Sequence, residues 1–175
     1  MNKKIVLCVN TSWNVINFRA GLVRGLLAAG FDVIVAAPRD EYSDLICDLG
    51  CRYVEIPMEQ NKMSLLGELK LILKLFYLLK SERPDVYVSF TVKPNVYGAL
   101  ISNVLNIRSL VNIAGLGSLF GNDGFVRWIA IKLYKAALIE SSKVFFQNED
   151  DLSFFLNRGI VRRDACGVLP GSGAD

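Results

Sequence analysis

Apolar residues in this chain fall into short unbroken runs set off by polar turns, and these runs alternate with longer segments of helical period. Lys4 to Val9 reads as a buried strand, followed by a polar turn and a helix from about Phe18 to Ala29 that Gly30 closes. Asp32 to Ala37 is a second strand stopped by Pro38, Glu41 to Leu49 a helix closed by Gly50, and Arg52 to Ile56 a third strand stopped by Pro57. A polar linker, Glu59 to Lys62, leads to a long helix from Ser64 to about Ser81, and Pro84-Asp85 resets the chain for the strand Val86 to Phe90. The pattern continues with a turn at Thr91 to Asn95, a helix from Val96 to Leu105, a strand from Ser109 to Ile113 and a glycine-rich loop at Gly115 to Ser118. It closes with a helix from about Phe125 to Ile139, a strand Lys143 to Gln147, a helix Asp150 to Asn157, and a short strand from Gly167 running into Gly171-Ser172-Gly173.

Strand and helix alternate along the whole chain, and strands that read as continuous apolar runs are buried on both faces. The fold class expected is α/β: a Rossmann-like, doubly wound, mostly parallel sheet in three αβα layers. With 175 residues, one domain is the simplest organisation, with about 70% of the unfolded surface buried. Hydrophobic residues make up 52% of the chain and mean hydropathy is +0.34, high enough to leave apolar surface for a membrane or partner. A net charge of +3 falls short of a nucleic-acid binder's basicity, so nucleic acid is not an expected partner.

The four cysteines (Cys8, Cys47, Cys51, Cys166) form no C-x-x-C pair and the chain has no histidine. Zinc sites and histidine-based catalysis lack their usual groups, so no metal is expected and the thiols read as reduced cysteines of a cytosolic core. The amino terminus is too short in its apolar run to be a signal peptide, and no segment reaches the roughly 18 uncharged apolar residues of a membrane span. The expected location is cytoplasmic, with peripheral contact at a membrane surface as an extension.

The candidate chemistry lies between Ser89 and Phe120, where two consecutive strands exit into loops carrying Lys93, Asn95, Gly115, Gly117 and Ser118. Strand exits at the carboxyl edge of an open parallel sheet are where ligands sit, and a cation near a helix start suits an anionic or sugar-like molecule. Pro94 is expected to hold Lys93 extended, and Asn95 to serve as an N-cap or a ligand contact. The first exit carries Thr11, Ser12, Asn17 and Arg19, which cap a helix or face the cleft. It has no glycine, so the dinucleotide fingerprint is missing, and no P-loop occurs anywhere. Glu149, Asp150 and Asp151 read first as charges favouring a helix N-terminus.

In the helix from Phe125, Val126, Ile129, Ala130, Leu133 and Ala137 form the stripe expected to meet the sheet. Phe125, Trp128, Lys132 and Lys135 share another face whose aromatic and cationic mixture suits an anionic membrane interface. The helix from Ser64 to Ser81 holds eleven Leu, Ile, Phe or Tyr residues, with Lys70, Lys74 and Ser81 on one side, and core burial is the first expectation for it.

Several separated segments together resemble the amino-terminal domain of a GT-B glycosyltransferase of retaining family 4, of the kind that extends lipid-linked oligosaccharides for bacterial capsule, O-antigen or N-glycan assembly. They are Ile5 to Ser12, Asn17-Phe18-Arg19, Gly30 to Val33, Val92 to Asn95 with Tyr97-Gly98, Gly115 to Ser118, Phe146 to Asn148 before Asp150-Asp151, and Leu169 to Asp175. The resemblance implies an acceptor-side domain over residues 1–168, with 169–175 beginning the crossing to a donor-binding domain. It implies a nucleotide-sugar donor held by that other domain, a polyprenyl-diphosphate-linked saccharide acceptor, and neither metal nor other cofactor. It also implies that Thr11, Ser12, Asn17, Arg19, Lys93, Asn95, Gly115, Gly117 and Ser118 face the acceptor. Family members often carry a histidine near the glycine loop; this chain has none, and no catalytic base is named. Two other functions fit the same fold: a non-catalytic membrane-anchoring subunit of a split two-chain glycosyltransferase, and a GT-B-type sugar-nucleotide epimerase domain.

Overall fold

The computed structural model describes residues 3–58, 64–115 and 124–169, the side chains at 125 and 126 excepted. The expected linker Glu59 to Lys62, the Gly117 and Ser118 positions and the Gly171–Gly173 segment lie outside the described residues. In chain order the elements are β1 (Lys4–Cys8), α1 (Ser12–Phe18), α2 (Ala20–Ala28), β2 (Asp32–Ala37), α3 (Ser43–Asp48), β3 (Arg52–Glu55) and α4 (Leu65–Glu82). There follow β4 (Val86–Ser89), a π-helical turn Pro94–Gly98, α5 (Ala99–Val104), β5 (Arg108–Ile113) and α6 (Gly124–Leu138). Last come β6 (Lys143–Phe146), α7 (Glu149–Asn157), a single 3-10 turn and β7 (Cys166–Val168).

The strands form one seven-stranded sheet in the order β3-β2-β1-β4-β5-β6-β7, and every neighbouring pair is parallel. Alternate residues of β1 divide the core. Val6 and Cys8 pack with Leu71, Leu75, Leu78 and Leu79 of α4, whereas Leu7 and Val9 pack with Val15, Val23 and Ile46 of α1, α2 and α3. Val111, Ile113, Val144 and Phe146 carry the first face on to Tyr134, Ala137 and Leu138 of α6 and Phe155 of α7. Register joins Tyr87 to Ser109 and Val111 to Val144, so α4, α5, α6 and α7 share one face of the sheet. This is the three-layer α/β fold expected from the apolar runs.

Several boundaries differ from the sequence expectation for local reasons. The first helix begins at Ser12 rather than Phe18, because Thr11 and the distant Asp40 together satisfy its first N–H groups, and it breaks at Arg19 before α2. The helix expected from Val96 starts earlier, in the turn after Thr91, whose carbonyl accepts from the Asn95 N–H at 2.8 Å. Pro94 costs no bond there, since a helix's first N–H groups have no internal acceptor. The ladder past β7 continues to Leu169, whose N–H donates to the Phe146 carbonyl at 2.9 Å.

Candidate functional site

Strand order reverses between β1 and β4: the chain leaves β1 towards β2 on one side and returns through α4 to β4 on the other. Ligands in open parallel sheets bind in the crevice at such a switch point, outside the carboxyl ends of the strands. The exits of β1, β4 and β5 therefore define the candidate site.

At the β1 exit Thr11, Ser12, Asp40 and Ser43 are joined by hydrogen bonds. The Thr11 hydroxyl caps α1 by accepting from the Asn14 N–H at 3.0 Å. Asp40, from the loop after β2, accepts from the N–H groups of Ser12 at 2.8 Å and Trp13 at 3.2 Å. Ser12 is fully buried, its hydroxyl donating to the Pro38 carbonyl at 3.1 Å and lying 2.9 Å from the Ser43 hydroxyl. The Asn17 amide donates to the Trp13 carbonyl in its own helix. Thr11, Ser12 and Asn17 are thus engaged within the fold. Arg19 is not solvated: it is 6% exposed, its guanidinium 4.3 Å from the centre of the Phe90 ring. A cation from the first helix break therefore lies against the end of β4, at the switch point.

The β4 exit is built around a tight packing. Tyr87 is fully buried, its hydroxyl donating to the Pro94 carbonyl at 3.0 Å, and its ring occupies the space a Cβ would need at Gly98. Only glycine fits there, so the π-helical turn lies directly on the tyrosine; such turns are frequent at functional sites. Lys93 departs from expectation. Its backbone is helical (φ −65, ψ −48) rather than extended, since it belongs to the turn that starts the helix. Its ammonium is paired with the Glu68 carboxylate of α4 at 2.6 Å, so much of its charge is answered within the fold. Tyr97 lies beside the same carboxylate; burial first, then the hydrogen bond with Glu68, pushes its phenol up to about 12.

Asn95 is no N-cap. It is 2% exposed inside the π-helical turn, and its amide donates to the Asn112 carbonyl of β5 at 2.9 Å, tying the two exits together. Its Oδ1 is buried with no hydrogen-bond partner, as are Thr91 Oγ1, Asn112 Oδ1 and, on α1, Asn14 Oδ1. A buried acceptor without a partner costs about 1–3 kcal/mol. Four of them lie around the β1, β4 and β5 exits. Asn14, Glu68, Thr91 and Asn112 were not among the residues expected from sequence. The available signal was a lone Asn in an apolar strand and a Glu in the first turn of an otherwise apolar helix. Gly115 closes the β5 exit at φ +137, a backbone conformation that favours glycine, with open space where a Cβ would sit.

The chain matches the model of the glycosyl transferase 4-like domain over residues 17–171. It belongs to that family. This glycosyl transferase 4-like domain is 27% identical over 158 residues to the N,N'-diacetylbacillosaminyl-diphospho-undecaprenol alpha-1,3-N-acetylgalactosaminyltransferase of Campylobacter jejuni, an alignment covering 87% of the chain and 42% of that protein. Among solved structures, MurG of Acinetobacter baumannii superposes with a TM-score of 0.62 at 14% identity, covering 99% of this chain and 46% of that one. The UDP-N-acetylglucosamine 2-epimerase of Rickettsia bellii superposes at 0.69 with 17% identity, covering 98% and 45%. The fold is one half of a GT-B protein, and the chain spans less than half the length of these relatives.

The remaining expectations for this glycosyl transferase 4-like domain divide. Glu149, Asp150 and Asp151 form the first turn of α7, which Asn148 caps by accepting from the Asp151 N–H. In α6 the sheet-facing side is Tyr134, Ala137 and Leu138; Ile129 and Leu133, expected against the sheet, are 38% and 40% exposed and lie outward with Trp128. Among the described side chains Ala137 alone of the expected stripe is fully buried; the helix is apolar on several sides, and packing of Tyr134 on Phe155 sets the buried line at Tyr134, Ala137 and Leu138. Lys132 lies over the Trp128 ring, and Lys135 is exposed; the Phe125 side chain lies outside the described residues. The long helix α4 is also only half in the core. Cys8 and Cys51 are buried, and burial pushes their thiols up to about 12 and about 11, while Cys47 is exposed rather than in the core. Among the described residues no cluster of Cys, Asp or Glu could hold a metal ion, and no helix is long and apolar enough to cross a membrane. Two surface depressions of about 450 and 580 Å³, around Arg83 and Asn106 and around Lys4 and Arg52, lie at the opposite edge of the sheet from the exits.

Proposed function

We propose that this chain is the acceptor-side half of a glycosyltransferase that moves a sugar from a nucleotide-sugar donor to a polyprenyl-diphosphate-linked saccharide, in cell-surface polysaccharide or glycan assembly at the cytoplasmic membrane face. The observation that carries it is the family match over residues 17–171. The Campylobacter relative, whose name describes transfer to a diphospho-undecaprenol-linked sugar, supports it. A donor-binding half completes the cleft, in the same or a second polypeptide, and no metal is required. In this reading the unpaired oxygens of Thr91, Asn95 and Asn112 accept hydrogen bonds from acceptor hydroxyls. Arg19 and the Lys93–Glu68 pair set the local field, and the Gly115 loop, with Gly117 and Ser118, approaches the reacting sugar. Such a site works by positioning: holding the attacking hydroxyl beside the donor's leaving diphosphate supplies much of the rate. Trp128, Lys132 and Lys135, with Phe125, meet the anionic membrane.

The test is a titration of the chain with a short-chain prenyl-diphosphate-linked N-acetylhexosamine, set against the free sugar and against UDP-N-acetylglucosamine. Saturable binding of the diphosphate-linked sugar, weakened by Thr91→Val, is expected; binding of the nucleotide sugar alone would reject an acceptor-side role. A second reading, a sugar-nucleotide epimerase domain, draws on the epimerase superposition at 0.69, which exceeds that of MurG. It predicts exchange at C2 of UDP-N-acetylglucosamine once the chain is joined to a nucleotide-binding half.

A further inference from the structure

Glu68 stands in the first turn of α4, where that helix meets the β4 exit. Ser64 caps the helix by accepting from the Gly67 N–H, and the partial positive charge of a helix start favours a carboxylate in its first turn. Glu68 Oε1 takes the Lys93 ammonium at 2.6 Å, and the two side chains are only 14% and 22% exposed. The Tyr97 hydroxyl lies beside the same carboxylate. A carboxylate of the chain itself thus occupies the place where a helix start and a lysine together would receive a ligand anion.

The other cation near this exit does not offset Glu68. Arg19 lies over Phe90, which packs with the cluster of α1, α2 and α3, whereas α4 packs with Tyr87 on the opposite face of the sheet. The polar atoms left open around Lys93 are oxygens. Glu68 Oε2 and Asn95 Oδ1 are buried without a hydrogen-bond partner, and a carboxylate or amide oxygen only accepts. Thr91 Oγ1, equally buried and without a partner, accepts as well as donates. A diphosphate ester brings acceptors and negative charge, so it satisfies neither Glu68 nor Asn95 and is repelled by the carboxylate. A sugar hydroxyl or acetamido N–H brings a donor and no charge.

We infer that Glu68 is a specificity-determining residue of the β4 exit: by answering Lys93 and the start of α4 it reserves that exit for a neutral, hydroxyl-bearing saccharide and bars a diphosphate from it. It acts on a diphosphate through Lys93, and on a sugar hydroxyl directly through Oε2. The proposed function is thereby deepened, and the inference rests on it for the saccharide: the two parts of a diphosphate-linked sugar are read in different places, with the sugar at the β4 exit.

The experiment is a calorimetric titration of the chain with inorganic diphosphate, with neither sugar nor lipid present. Glu68→Gln should bind inorganic diphosphate about tenfold more tightly than wild type, the equivalent of one charge-assisted hydrogen bond. Glu68→Asp, which keeps the charge, should stay at the wild-type level, and Glu68→Gln/Lys93→Gln should return to it. A gain of this kind is not what a merely structural role for Glu68 would give, since a loosened fold weakens binding. If Glu68→Gln melts below wild type, Lys93→Gln decides: diphosphate binding unchanged from wild type is expected, because the ammonium is already answered, and weaker binding overturns the inference. Equal binding by wild type and Glu68→Gln overturns it as well, and so does a gain that survives in the double variant. These titrations judge Glu68 alone, while the titration with the prenyl-diphosphate-linked sugar judges the acceptor-side role, so the two can fail separately.

Discussion

The exits of β1 and of β4 with β5 are neighbours at one edge of the sheet, rich in the same residue types, and they close their hydrogen bonds to different degrees. At β1, Thr11, Ser12, Asp40 and Ser43 answer one another, leaving the Asn14 Oδ1 of α1 without a partner, and the helix starts six residues before its apolar pattern suggests. At β4 and β5, Thr91, Asn95 and Asn112 each keep a buried oxygen without a partner. Polar residues at a strand exit are therefore not by themselves a site. What separates structure from site is whether the hydrogen bonds close within the fold, since an unclosed buried acceptor is a cost that a bound hydroxyl would remove.

The largest effect should come from the packing under the open exit. Gly98→Ala drives a methyl group into the Tyr87 ring and is expected to lower stability by about 3 kcal/mol in a denaturant titration. A loss below about 0.5 kcal/mol would mean the π-helical turn yields, and with it the rigidity assigned to this exit. Next is the closed exit: Asp40→Ala removes an acceptor from two N–H groups at the start of α1 and should cost about 1–2 kcal/mol, read as a lower melting temperature. The same measurement on Thr91→Val should show no loss or a small gain, because the lost oxygen has no partner. Opposite signs at the two exits sharpen the comparison; equal losses break it.

The smallest effect lies away from both exits. Hydrogen bonds from Arg52 and then Lys4 hold the Glu82 carboxyl below its ordinary range. A carboxyl depressed on folding contributes stability above its unfolded pKa, and that contribution is lost as pH falls through the folded value. Glu82→Gln should therefore cost under about 1 kcal/mol at neutral pH and nothing once the wild-type carboxylate is protonated. A pH-independent difference would deny the pairing.

How far the sequence went can be read from particular residues. The strands were legible because a parallel strand buried on both faces must be apolar throughout, and Ile5 to Val9 or Val33 to Ala37 admit little else. The start of α1 was not, because its second cap is Asp40, which only the fold brings near. The outward turn of Ile129 and Leu133 was illegible since α6 is apolar on both sides. Lys93 looked like a free cation because Glu68 lies on another helix, with nothing in the local pattern to join them. Asn95 and Arg19 were named as site residues, but their burial, and the bond from Asn95 to Asn112 of β5, are tertiary facts.

The proposed function turns on the β4 and β5 exits, and not the β1 exit, holding the acceptor. Its most direct measurement is the affinity of a short-chain prenyl-diphosphate-linked N-acetylhexosamine for Thr91→Val and for Asp40→Ala, each at a temperature where both remain folded. Thr91→Val should lose about tenfold in affinity, the equivalent of one hydrogen bond, and Asp40→Ala should show no change. Unchanged binding in Thr91→Val beside a loss in Asp40→Ala would contradict it.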